Sequence, residues 1–205
     1  MIRVVEARFF TTATQPRQYP KPAWPEIAFA GRSNVGKSSM INTLCNRRKL
    51  VRVSNTPGRT RTLNFFDVDL EIERRKKTLR LCDLPGYGYA KASKEDRDGW
   101  RKMISTYLEG RSVLKAVVAI VDAEVGAQES DMQMIDYLSQ ADGPAVLVAA
   151  TKIDRVAKSK WFGRRQKIAE ALQVPLEAVV PFSSTERIGF EQVWDRLLGA
   201  TLPPR

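Results

Sequence analysis

The sequence predicts an α/β fold in which a mainly parallel sheet is covered by helices on both faces. Three observations predict it. Beyond residue 93, apolar runs of strand length alternate with helices of about ten to fifteen residues; a glycine-rich loop, Gly31–Ser38, joins an apolar run to a helix; and two apolar runs flank the charged stretch Glu73–Lys77. Strands separated by such helices need crossover connections, which make neighbours parallel and bury both sheet faces.

The elements follow in order. Residues 1–25 hold Pro16, Pro20, Pro22 and Pro25 among polar residues, which predicts an extended lead-in rather than a helix or central strand. Residues 26–205 then read as a single domain. Glu26–Gly31 is a buried strand, and Lys37–Cys45 is the helix after its turn. Asn64–Ile72 and Lys77–Leu84 form the antiparallel hairpin. Further helices are expected within 94–110 and 128–140, over 158–172 and over 190–198, with strands at 115–123, 144–151 and 178–184 between them. The polar connection Asn46–Leu63 is too long for an ordinary loop and is a candidate mobile functional element.

Composition bounds the chemistry. Lys and Arg total 34 against 23 Asp and Glu, a formal net charge of +11, which favours an anionic partner. Histidine is absent, so the commonest general base and metal ligand are both missing. Cys45 and Cys82 lie in apolar stretches and read as buried free thiols of a reducing compartment. No apolar run approaches a membrane span and the start lacks a signal-peptide core, which predicts a cytoplasmic protein.

The loop Gly31–Ser38, GRSNVGKS, fits G-x-x-x-x-G-K-S after a strand and at the opening of a helix. Its backbone N–H groups suit phosphates, Lys37 reaches toward the β/γ-phosphates, and the Ser38 hydroxyl suits Mg²⁺. TKID, Thr151–Asp154, follows a strand at the carboxyl edge of the sheet. The Asp154 carboxylate can accept both N1–H and the N2 amine of guanine, and the stem of Lys152 can lie over the ring. Adenine offers neither donor, and sites built on such bonds discriminate by roughly 10⁴. Thr151 stands where Asn is more usual, which alters one brace on the phosphate loop. Ser183–Thr185 fits a backbone lid over the guanine carbonyl. Asp83 and Gly86 form D-x-x-G, a water-mediated Mg²⁺ contact and a γ-phosphate sensor. Tyr87 follows where many nucleotide hydrolases carry a water-orienting Gln. Thr60 and Thr62 are both candidates for the hydroxyl that closes over Mg²⁺, and related P-G-x-T segments favour Thr60.

With these residues in hand, the chain resembles the EngB (YihA/YsxC) family of bacterial GTPases, of the TrmE–Era–EngA–YihA–septin superfamily. EIAFAGRSNVGKSSMIN, TPGRTRTLNFF, DLPGYGYAK, TKID and FSS carry the resemblance over nearly the whole chain. It implies a G domain whose six-stranded sheet has one antiparallel edge pair. It implies contacts to GTP or GDP from Gly31, Arg32, Ser33, Asn34, Val35, Gly36, Lys37 and Ser38, and from Gly58, Arg59, Thr60, Arg61 and Thr62. Further contacts are implied at Asp83, Leu84, Pro85 and Gly86, at Thr151, Lys152, Ile153 and Asp154, and at Phe182, Ser183 and Ser184. Mg²⁺ falls to Ser38 and Thr60, with Asp83 through water. Arg61 stands where many members have Gln. Lys37, Asn34, Thr60 and Gly86 are the residues expected to serve hydrolysis. In some relatives the Asn of the phosphate loop ligates K⁺; Asn34 either does so or only braces the loop. The implied role is in 50S ribosomal subunit assembly, with loss impairing division and septation.

Three basic clusters carry much of the charge: Arg47, Arg48, Lys49 and Arg52; Arg74 through Lys77; and Lys158, Lys160, Arg164, Arg165 and Lys167. Each alone reads as a solvated face, and together they favour RNA. Trp161 and Phe162 are expected to be packing residues. The leading reading is a monomeric GTP-hydrolysing switch that binds the 50S subunit or its precursors. Its alternative is an RNA- or protein-docking module that keeps GTP as a structural ligand. A phosphate-loop kinase is disfavoured by TKID and by the lack of an acceptor-binding insertion.

Overall fold

A computed structural model describes residues 2–51, 62–88, 94–139 and 143–202. Seven strands form one mixed sheet: β1 (Ile2–Ala13), β2 (Glu26–Gly31), β3 (Leu63–Ile72), β4 (Arg75–Asp83), β5 (Leu114–Asp122), β6 (Ala145–Thr151) and β7 (Val179–Pro181), in the order β1-β3-β4-β2-β5-β6-β7. From β4 to β7 every pair is parallel, while β1–β3 and β3–β4 are antiparallel. Five helices cover it: α1 (Lys37–Leu44), α2 (Lys94–Gly110), α3 (Glu129–Ser139), α4 (Trp161–Leu172) and α5 (Phe190–Thr201).

Side-chain alternation along β5 separates the two faces. Ala116, Val118 and Ile120 pack with Met40, Ile41 and Leu44 of α1 and with Val193, Trp194 and Leu197 of α5. Val117 packs with Ile104 and Tyr107 of α2 and Met134 of α3, and Ala119 and Val121 with Ile168 and Leu172 of α4. Strand β2 is central and buried throughout, including Glu26. That carboxylate is paired: Arg111 donates to it at 2.5 and 2.8 Å and the Tyr107 hydroxyl at 3.0 Å. Burial without those partners would be strongly destabilising.

The mixed, mostly parallel sheet with helices on both faces is as expected, but seven strands replace six and two antiparallel pairs replace one. The addition is β1, in the segment expected to be a lead-in. All four prolines follow it, so its ladder is unbroken. Ile2, Val4 and Ala7 join the α1/α5 core, Phe9 meets Phe66 edge-on at 5.7 Å, and Arg3 and Arg8 pair with Glu71 and Asp69. The β3–β4 turn is also shorter than Glu73–Lys77. Only Glu73 and Arg74 turn, both with positive φ (48° and 65°), the two-residue geometry that matches strand twist.

Candidate functional site

Five parallel strands, β2 and β4 through β7, end along one edge of the sheet, and the loops that leave them bring the motif residues together. Leaving β2 at Gly31, the loop passes through left-handed residues at Asn34 (φ 66°) and Gly36 (φ 97°) and enters α1 at Lys37. Backbone of this kind forms concave rows of N–H donors that suit anions, and α1 adds its N-terminal donors. Gly36 holds a conformation costly for a side chain. Val35 is buried beneath the loop, Asn34 is exposed, and Arg32, Ser33 and Ser38 are half-buried.

Asp83, the last residue of β4, forms a nearly buried ion pair with Lys37. Leu84 is buried and its N–H bonds the Phe29 carbonyl at 3.1 Å, while the Pro85 carbonyl accepts from Trp100 Nε1 at 3.0 Å. Gly86 sits directly over the phosphate loop, where a Cβ would lie 3.1 Å from Ser33 Oγ and 3.2 Å from its nitrogen. A Cβ at this position would require Ser33 to give way by a few tenths of an ångström. Tyr87 turns inward, 7 % exposed, with its hydroxyl 3.0 Å from Asp131 Oδ1. Burial and the adjacent carboxylate push that phenol far above its usual pKa, so it stays protonated.

The base-reading segment is tied to the same loop. The Thr151 hydroxyl lies 2.5 Å from the Val35 carbonyl and 3.1 Å from the Val121 carbonyl. Threonine therefore makes a loop brace itself, its side-chain hydroxyl reaching the Val35 carbonyl in place of an amide side chain. Lys152, left-handed at φ 57°, spans from the end of β6 to donate to the Asn34 carbonyl at 2.9 Å and Asp122 Oδ2 at 2.6 Å. Ile153 is buried, with its N–H 3.2 Å from the Phe182 carbonyl. Asp154 is half-buried, and hydrogen bonding from Ser183, reinforced by its own backbone N–H and Thr185, holds its carboxyl below the usual range against a smaller opposing burial effect. Phe182 and Ser183 are buried, Ser184 is half-buried, and the Ser183 hydroxyl accepts the Glu186 N–H at 3.1 Å. This turn presents its backbone beside Asp154.

Gly58, Arg59, Thr60 and Arg61 lie outside the described residues, as does Arg52. Thr62 immediately precedes β3, where Asn64 pairs with Asp83, so it borders the site. Two carboxylates escaped the sequence reading. Asp122 ends β5, and that position after an apolar strand could have marked it. Asp131, 1 % exposed, reads in sequence as an ordinary first-turn acid of a helix. Phe162 is 63 % exposed rather than packed, whereas Trp161 does pack and donates to the Val156 carbonyl at 2.8 Å.

Comparison with known proteins fits this geometry. The family model described as 50S ribosome-binding GTPase matches residues 26–152, from β2 through Lys152. A protein named "Probable GTP-binding protein EngB" from Myxococcus xanthus (strain DK1622) is 59% identical over 97% of this chain and 96% of its own length. The chain belongs to the EngB family of GTP-binding proteins. An EngB relative of the same printed name from Lactococcus lactis subsp. lactis is 45% identical over 91% of this chain and 92% of its own. Among solved structures, a crystal structure of a probable GTP-binding protein engB aligns with a TM-score of 0.64 at 24% identity, over 86% of this chain and 98% of that one. That likeness confirms the α/β G-domain fold. Among the described residues no helix is long and apolar enough to cross a membrane.

Proposed function

We propose that this EngB-family chain is a GTP-hydrolysing switch in 50S subunit assembly, and through it in cell division and septation. The observation that carries the reading is the pair of braces from Thr151 and Lys152 to the Val35 and Asn34 carbonyls, which join base-end and phosphate-end motifs into one site. GTP lies with its phosphates in Gly31–Ser38 and its base between Lys152, Asp154 and the Phe182–Ser184 turn. Asp154, kept anionic by its donors, accepts both guanine N–H groups. Lys37 exchanges its Asp83 partner for the β/γ-phosphates, which couples the end of β4 to nucleotide.

Ser38 and Asp83, a hydroxyl and a carboxylate, are the hard oxygen donors that Mg²⁺ takes alongside phosphate and water. The ion would be held by Ser38, Asp83 through water, and Thr60, and it supplies charge neutralisation at the phosphates. Asn34, exposed beside the loop, is the residue that K⁺ would use.

No water-orienting group follows Gly86, because Tyr87 is turned inward. Turnover of the isolated protein is therefore expected on the order of 10⁻⁴ to 10⁻² s⁻¹. The same inward Tyr87 is what favours the second reading, a docking module with structural GTP. Binding of GTP against ATP, and turnover with and without 50S particles, test both. Preference for GTP with acceleration on particles supports the switch; GTP binding with no turnover in either condition supports the docking module. Equal affinity for ATP ends both.

A further inference from the structure

Tyr87 is fastened on three sides. Its N–H donates to the Gly31 carbonyl and its carbonyl accepts the Ser33 N–H, each at 3.3 Å, one rung of pairing between the phosphate loop and the segment after β4. Its ring lies edge-on to Trp100, with centroids 5.9 Å apart. Its hydroxyl donates to Asp131 Oδ1 at 3.0 Å, while Asp131 Oδ2 accepts from Arg32 Nε at 3.1 Å and the Gln128 N–H at 2.9 Å.

One buried carboxylate on α3 thus joins two segments of the site from behind. Arg32 is the second residue of the phosphate loop, and Tyr87 directly follows Gly86. Gly86 lies close against Ser33 and is bonded directly to Tyr87, whose backbone pairs with Gly31 and Ser33, so a change in its seat is transmitted to the Tyr87 backbone. The Tyr87 hydroxyl resists that movement, because leaving Asp131 strips a buried anion of a donor. We propose that Asp131 is a positioning residue of the nucleotide cycle: through Arg32 and Tyr87 it fixes where Gly86 sits over the phosphate loop, and so sets how strongly triphosphate is distinguished from diphosphate. The proposal rests on the GTP-switch reading and places Asp131 in contact with its two partners, not with nucleotide.

The test uses the full chain with Asp131→Asn and the milder Tyr87→Phe, which removes only the hydroxyl. Two quantities are measured: the ratio of affinities for GDP and a non-hydrolysable GTP analogue, and the fluorescence difference between the two bound states. Trp100 reports the second, since it touches both Tyr87 and Pro85. Both variants are expected to shift the affinity ratio by about fivefold or more and to lose most of the fluorescence difference. Variants that melt earlier but keep the wild-type ratio and fluorescence difference would show a purely structural cluster and overturn the proposal. A wild-type protein that binds neither guanine nucleotide overturns the switch reading, and this proposal with it.

Discussion

At Asp154 the local donors decide both the chemistry and its pH range. Ser183 and its neighbours stabilise the ionised carboxyl, so the folded pKa lies below the ordinary carboxylate value. The sign follows: base recognition is intact above about pH 4 and is lost only as pH falls through the depressed pKa. GTP affinity should therefore show no loss from Asp154 between pH 7 and 5. Asp154→Asn should weaken GTP by roughly 10- to 150-fold, the worth of a hydrogen bond to a charged group, and should favour xanthosine nucleotides, whose C2 carbonyl accepts from an amide. Calorimetric titration with the two nucleotides reads this. Asn34 permits a second prediction: if it holds K⁺, replacing Na⁺ by K⁺ at constant ionic strength raises turnover, and Asn34→Ala abolishes the difference while GDP affinity holds. Equal rates in both salts, with and without 50S particles, exclude that role. The motif residues were legible because phosphate and guanine chemistry demand particular groups at fixed offsets from strand ends. Asp131 was not, since its partners Arg32 and Tyr87 lie 99 and 44 residues away in sequence and only the crossover topology brings them together.

Strand β1 shows at the scale of an element why sequence reading fell short. A half-buried strand is recognised by strict alternation, yet the register of β1 slips between Val4 and Glu6 and again between Phe9 and Thr11. Each bulge shifts the inward set by one residue. The apolar residues Ile2, Val4, Ala7 and Phe9 therefore share a face that no single period-two template finds. The proline content of 1–25 added a misleading average, since it belongs to the covering segment after the strand. Strands β2, β5 and β6 were legible because burial on both faces leaves near-continuous apolar runs. Ala7 is the β1 residue on which the edge turns, 6 % exposed and packed in the α1/α5 core. Ala7→Asn should cost on the order of 1–3 kcal/mol for a buried polar group without a partner. Amides that link β1 and β3 around Ala7 should exchange faster, with GDP affinity unchanged, because Ala7 pairs with Val68, four residues along β3 from the Asn64–Asp83 pair that meets the nucleotide edge. Unaltered exchange along β3 would show that β1 does not depend on this contact.

For the molecule as a whole, charge divides by use. Arg165, counted with the basic clusters, is spent internally: its guanidinium donates to the Val179 and Leu176 carbonyls at 3.0 and 3.2 Å, fastening α4 to β7. Arg75, Lys76 and Lys77 are exposed at the start of β4, about 20 to 27 Å by strand length from Asp83. Arg47, Arg48 and Lys49 are exposed just beyond the C-terminus of α1, whose N-terminus meets the phosphate loop. These two basic groups thus stand at the pole opposite the nucleotide edge, whereas Lys158 and Lys160 follow Asp154 closely on the nucleotide side. If the groups at the opposite pole contact rRNA phosphates, Arg75→Gln/Lys76→Gln/Lys77→Gln should flatten the log–log salt dependence of 50S binding by about 2 to 3, at about 0.7 to 0.9 per contact. Glu73 and Arg74 are left in place because both hold the positive-φ turn. GDP affinity should match wild type, since the replaced side chains lie far from Asp83. Arg165→Ala should behave in the opposite way, lowering the thermal midpoint while leaving the salt slope unchanged. Cosedimentation with 50S particles across a salt series separates the two effects, and an unchanged slope in the triple variant would remove this pole from the ribosomal contact.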